Sequence, residues 1–220
     1  MNYLAHIRLA ENTPESQLGN FLGDFVKGPL EDYQNCYSAE ILKGIATHRQ
    51  IDCFTDRHPL YLQSRRLLGD RYFRFSGIII DIAYDHFLSK HWQLFAASQL
   101  DDFVNDFYDN LQANRSILPP KARAIAPKVV LENWLASYQT LAGVNRTLAR
   151  ISRRLKRANP LATASEELAE HYEALEAGFL QFFPEAIAYA EILQKSPFQQ
   201  PSSESALELS INLQSLHRKK

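Results

Sequence analysis

The stretch Phe75–Trp92, FSGIIIDIAYDHFLSKHW, threads two aspartates and two histidines through one of the most apolar segments of a 220-residue chain. Asp81 and Asp85 are four residues apart, and His86 follows directly. On a helix, residues four apart share a face, so both carboxylates project between Ile78, Ile82, Phe87 and Leu88. A buried carboxylate loses much of its hydration energy, which a proton, a cationic side chain or a metal ion must offset. The anomaly recurs twice upstream. In GNFLGDFVKG, Asn20 and Asp24 lie four apart beside the stripe of Phe21 and Phe25; in IATHRQIDCFTDRHP, His48 and Asp52 continue the stripe begun by Ile41 and Ile45.

One histidine on an apolar face is more often a hydrogen-bonded core residue than a ligand, and an isolated aspartate is more often a cap or an arginine partner. Three helical segments that each carry such a pair are harder to satisfy within one shared core. A divalent ion resolves the conflict. Carboxylate and imidazole donors without thiolate suit Mn, Mg, Fe or Zn and argue against a structural zinc site. Such an ion lowers the pKa of a bound water to about 7 in the best cases and polarises a phosphoryl oxygen, which is the chemistry of phosphoester hydrolysis. GxxxxGK[ST], GxGxxG, HExxH and GxSxG are all absent, which removes the usual signals of nucleotide cofactors and serine hydrolases.

Outside these segments helical spacing dominates. Thr13 and Pro14 read as the cap and first residue of a helix carrying Leu18, Phe21, Leu22 and Phe25. Pro59 opens a helix running through Leu68 and closed by Gly69. Further helices are predicted over 100–111, 121–141 and 144–157. Thr163 with Glu166 makes a capping-box pattern at the start of a long helix through His171, Leu175 and Phe179 towards Pro184. No Asn-Gly or Asp-Gly hairpin and no sustained alternation signals a strand. The expectation is therefore an all-α, single-domain helical bundle over 1–195. A loosely ordered tail over 196–220 follows, with a short helix through Leu207, Ile211 and Leu213.

With 45% hydrophobic and 11% aromatic residues, the chain can build a sizeable core without metal or disulfide support, so a metal here is functional rather than structural. The net charge of -1 conceals segregation. Val144–Ala158 carries Arg146, Arg150, Arg153, Arg154, Lys156 and Arg157 with no acidic residue, and Arg57–Arg74 sets Arg57, Arg65, Arg66, Arg71 and Arg74 against Asp70 alone. Cys36 and Cys53 form no disulfide framework, which suits a reducing cytosol. MNYLAHIRLAEN lacks the pattern of a signal peptide, and no run approaches the ~18 apolar residues of a membrane span. A soluble, cytoplasmic protein is expected.

Four motifs, MNYLAH, GNFLGDFVKG, GIATHRQIDCFTDRHP and DIAYDHFLSKHW, stand in this order up to Trp92, and HYEALEAGFLQFFP follows later. In these residues the chain resembles the acyl carrier protein phosphodiesterases, a family similar to the HD phosphatases and phosphodiesterases. The resemblance implies an HD-phosphohydrolase-like helical fold. It also implies hydrolysis of the phosphodiester between phosphopantetheine and a serine of holo-acyl carrier protein, with manganese as the favoured metal. The family's required aspartate in GNxLxDF falls on Asp24, and His6, His48, Asp52, Asp81, Asp85 and His86 match its other polar positions.

The expected metal shell is thus Asp24, His48, Asp52, Asp85 and His86, with His6 and Asp81 as ligands or as groups orienting them. Asp24 and His48 are expected at the chemistry. Arg49 is a candidate phosphate clamp, because its planar fork matches two phosphate oxygens. Acyl carrier proteins are small and acidic, so Arg65, Arg66, Arg153, Arg154, Lys156 and Arg157 are candidates for steering the partner. Nucleic acid is not expected, given the near-neutral charge and the absence of a binding motif. A hydrolase of nucleotides or other small phosphoesters, and a non-catalytic helical protein that binds the carrier protein, are the alternatives.

Overall fold

The computed structural model describes residues 1–196, all-α throughout: no strand occurs among the described residues. All but the first residue of the tail expected over 196–220, with its helix through Leu207, Ile211 and Leu213, lies outside the described residues. The chain opens with α1 (Tyr3–Leu9) and α2 (Pro14–Leu22). Thr13 caps α2 by accepting a hydrogen bond from the Ser16 N–H, and Pro14 occupies the first turn, as their order in the sequence predicts. Ser38 likewise accepts from the Ile41 N–H to start α3 (Ala39–Arg57), the helix that carries the Ile41, Ile45, His48, Asp52 stripe.

Next come α4 (Pro59–Leu67), α5 (Gly69–Tyr72) and α6 (Ser76–Lys90), the last formed by the FSGIIIDIAYDHFLSK segment. Gly69 has φ +63, the left-handed conformation that stops α4 at the expected place. The second half comprises α7 (Trp92–Phe95), α8 (Leu100–Ala113), α9 (Pro120–Leu131), α10 (Trp134–Ser137), α11 (Leu141–Arg154), α12 (Ala164–Glu170) and α13 (Tyr172–Lys195).

Three expectations need correction. The helix expected over 121–141 is broken by Asn133, which sits at φ 46, so α9 and α10 are separate. Thr163 does not cap α12: its hydroxyl donates to the Pro160 carbonyl instead. The long C-terminal helix is divided at His171, and α13 then runs through Pro184 rather than towards it. Pro184 faces solvent, so the helix loses one N–H bond there while Phe182, Phe183 and Ala186 stay buried on its inner side.

The core is built largely from aromatic rings. Phe182 packs against Phe54, Tyr61 and Tyr84 with ring centroids 6.2, 6.4 and 5.4 Å away, tying α13 to α3, α4 and α6. The crossing of α2 over α3 is closer than side chains allow. A Cβ on Gly44 would stand 2.6 Å from the Ser16 carbonyl oxygen and 2.9 Å from the Gly19 Cα. Glycine at both positions lets the two backbones touch, which brings the loop after α2 up to the middle of α3.

Candidate metal centre

His48 and Asp52 lie one turn apart on α3, and α1 crosses them so that His6 joins the pair. His6 Nε2 is 3.0 Å from Asp52 Oδ1, and His48 Nε2 is 3.2 Å from Asp52 Oδ2. The two imidazoles stack with centroids 3.8 Å apart. One donor atom from each of His6, His48 and Asp52 lies within 4.8 Å of the others. Both histidines are buried; each Nε2 meets an Asp52 oxygen, and neither Nδ1 has a hydrogen-bond partner among the described residues. Two imidazole nitrogens that converge on the two oxygens of one carboxylate form a donor set that fits a cation.

The electrostatics agree with ligand protonation states. Burial, and then the neighbouring His48, lower the His6 pKa, which keeps its imidazole neutral. Burial works against charge on Asp52, but the adjoining His6 and His48 hold its carboxyl far below the usual carboxylate range. Neutral imidazole and ionised carboxylate are the forms that bind metal.

Asp24 stands just past the end of α2, half-exposed, with Oδ1 3.8 Å from His48 Nε2. Asp81, on α6, accepts a hydrogen bond from the Tyr61 hydroxyl at 2.8 Å and lies 3.0 Å from the Met1 amino group. Burial disfavours the charged amino group, but Asp81 and Asp52 raise its pKa to about 10. Asp24, Asp52, Asp56 and Asp81 line a cavity of about 440 Å³ together with Ile78, Ile82 and Ile151; Arg154 and the Met1 amino group are the cations on its lining. A phosphate anion meets repulsion from four aspartates there, and a bound divalent ion reverses it.

Of the residues expected here, Asp24, His48, Asp52, His6 and Asp81 converge. Asp85 and His86 do not. Asp85 is fully buried one turn beyond Asp81, and its carboxylate accepts the Leu4 and Ala5 N–H groups at 2.9 and 3.1 Å, fastening the first turn of α1 to α6. Adjacent residues on a helix point about 100 degrees apart, so His86 faces elsewhere. Its Nδ1 donates to the Tyr138 carbonyl at 2.7 Å, which leaves Nε2 to accept from the Tyr172 hydroxyl at 2.8 Å.

The same rotation takes Arg49 away from His48. Its guanidinium donates to the Val26 and Gly28 carbonyls at 2.9 and 2.8 Å, bracing the loop behind Asp24 in place of clamping phosphate. Arg65 donates to Ser76 Oγ, Arg66 is exposed on α4, and Lys156 and Arg157 follow the end of α11. Arg154 alone of the expected basic residues reaches the aspartate cavity.

The Asp85 geometry carries a stability prediction. Burial pushes its carboxyl from 3.8 up to about 7, against the pull of the Leu4 and Ala5 N–H groups. A raised carboxyl pKa means that the folded state holds the proton longer than the unfolded chain, so this contribution is full below pH 3.8 and is lost as pH rises through about 7. Asp85→Asn presents an amide nitrogen, which cannot accept, to one of the two N–H groups. It is expected to lower stability by about 1–3 kcal/mol and to remove this share of the pH slope in urea titrations between pH 4 and 7.

Two residues of the site were not anticipated. Asp56 lies four residues beyond Asp52, so the His48, Asp52 spacing extended by one turn reaches it. Tyr61 carries no local signal, since its contact with Asp81 arises only from the packing of α4 on α6.

Comparison with known proteins adds independent information. A family model described as acyl carrier protein phosphodiesterase matches residues 1–186. A curated relative of that name from Photorhabdus laumondii is 35% identical over 192 residues, covering 87% of this chain and 96% of its own. Those from Pectobacterium atrosepticum and Yersinia pestis are 32% and 34% identical, over 88% and 87% of this chain and 100% and 98% of theirs. No solved structure matches.

Proposed function

Because the chain belongs to the acyl carrier protein phosphodiesterase family, we propose that it hydrolyses the phosphodiester linking phosphopantetheine to a serine of holo-acyl carrier protein, with a divalent ion held by His6, His48 and Asp52. The observation that carries the metal reading is the pair of buried imidazoles whose Nε2 atoms converge on one ionised carboxylate. Manganese, magnesium, iron and zinc all suit these donors, and manganese is the one the family resemblance implies. When bound, such an ion supplies an acidified water and neutralises charge at phosphorus.

The chain's own residues supply the rest. Asp24, 3.8 Å from His48 Nε2 and open to the cavity, takes the proton of the attacking water. Arg154, also on the cavity lining, offers its planar fork to the nonbridging phosphate oxygens. Asp81 orients the floor through Tyr61. A cluster of imidazole and carboxylate donors on packed helices supports a relationship to HD-type phosphohydrolases. No helix among the described residues is long and apolar enough to cross a membrane, which supports action on a soluble carrier protein in the cytoplasm.

Intact-protein mass spectrometry of holo-carrier protein incubated with this chain and Mn tests the reading. Loss of one phosphopantetheine mass is expected with metal and intact Asp24, and not with chelator or with Asp24→Ala. No loss despite bound metal overturns the carrier-protein assignment; undiminished loss in chelator overturns the metal.

A further inference from the structure

The aspartate cavity has a neighbour of opposite character. A groove of about 820 Å³ runs between α9 and α11, and Asp24 and Arg154 line both it and the aspartate cavity. Its cations are Lys121 and Lys128 from α9 with Arg150, Arg153 and Arg154 from α11, and Asp24 is the single acidic residue on its lining. Its apolar lining is Tyr3, Phe25, Ala124, Ile125 and Trp134. Arg150 lies flat on the Trp134 ring, 3.5 Å from the centroid, and 3.5 Å from Glu132, so its charge is partly spent. Lys121, Lys128, Arg153 and Arg154 are exposed, and no ion pair engages them among the described residues.

A phosphodiester has two ester arms that diverge from a tetrahedral phosphorus. With phosphorus at the junction marked by Asp24 and Arg154, one arm enters the aspartate cavity and the other lies along the basic groove. The two walls differ in what they accept. Asp56, with Ile78, Ile82, Ile151 and Leu155, suits an uncharged, partly apolar chain and repels an anionic surface. The groove, with four free cations on two helices flanking an aromatic floor, suits an acidic protein surface bearing apolar side chains.

We propose that the α9–α11 groove is the docking surface for the body of an acidic carrier protein, and that the prosthetic arm is threaded the other way, into the aspartate cavity. The proposal rests on the hydrolysis reading for the identity of the partner, while the groove itself selects the partner's charge. It also reassigns the basic residues of the sequence: Arg153 and Arg154 act with Lys121 and Lys128, and the arginines of α4 do not take part.

Fluorescence anisotropy of labelled apo-carrier protein titrated with the full chain tests docking without requiring turnover. The double variant Lys121→Glu, Lys128→Glu alters exposed positions and is expected to weaken binding at least about tenfold at low salt. In mass-spectrometric kinetics with holo-carrier protein, the same variant is expected to raise KM by more than it lowers kcat. Unchanged affinity overturns the proposal. So does an equal or larger loss in Arg65→Glu, Arg66→Glu, which places docking on α4, and so does tighter lysine-dependent binding of a random oligonucleotide than of the carrier protein.

The two readings fail separately. Apo-protein bound through the lysines without loss of the prosthetic mass by the wild-type chain sinks hydrolysis and keeps the docking surface. Loss of that mass with wild-type affinity in the lysine variant sinks the docking surface and keeps hydrolysis.

Discussion

Asp52→Asn is expected to lower kcat by about 10²–10³-fold or more while the protein stays folded. Among the described residues the carboxylate is the only charged group that touches both histidines, with its two oxygens 3.0 and 3.2 Å from His6 Nε2 and His48 Nε2. An amide keeps the shape and loses the charge with which this carboxylate would hold a divalent ion beside the two imidazoles. Since the neighbouring imidazoles keep this carboxyl far below the usual carboxylate range, its ionisation persists through any ordinary working pH, and acidification does not mimic the substitution. Calorimetric titration with Mn, alongside steady-state hydrolysis and thermal melting, separates the possible causes. Lost metal affinity with an unchanged melt supports the donor set. Retained metal binding and retained turnover would show that the three residues are only a buried hydrogen-bonding cluster.

Gly44→Ala is expected to destabilise the protein by about 2–3 kcal/mol, although alanine at an unconstrained helix interior gains up to about 1 kcal/mol over glycine. The inversion of sign comes from the crossing with α2. The added Cβ meets the Ser16 carbonyl oxygen at 2.6 Å and the Gly19 Cα at 2.9 Å. These are backbone atoms, so relief requires the helices to part. Parting them carries Asp24 away from His48, and activity should fall further than the population of folded protein accounts for. Denaturant unfolding measured beside specific activity decides this; a stabilised variant with full activity would mean that α2 slides without consequence for the site.

The helical class, the capped start of α2, the stop at Gly69 and the stripe on α3 were all legible because each depends on residues within one or two turns. His48 and Asp52 share a face of α3 by spacing alone. On α6 the same reasoning fails for a physical reason: nearly the whole circumference of the helix is buried, so apolar periodicity does not say which polar residue faces which neighbour. Asp81, Asp85 and His86 consequently face three different partners, namely Tyr61, the first turn of α1, and the Tyr138 carbonyl with the Tyr172 hydroxyl. Arg49 turns away from its neighbour His48 because adjacency in sequence is not adjacency on a helix. Asn133 and Pro184 reversed local expectation in opposite directions, since a left-handed residue ends a helix that composition favours and an exposed proline leaves one intact. The groove between α9 and α11 was half visible, as a run of arginines whose companion lysines lie on another helix.

The fastening of α1 by Asp85 also bears on how the protein is assembled. A seven-residue helix has too few internal hydrogen bonds to persist alone, and the contact that secures it spans 81 residues of sequence. Contacts of such separation form late, after the loop they close has been restricted by other structure. A folding intermediate with α3 in place would therefore present His48 and Asp52 without His6, a two-donor site of weak affinity. On the proposed donor set, Mn is expected to become tightly held only once the first helix docks, and the rate of its uptake during refolding is the measurement that follows that docking.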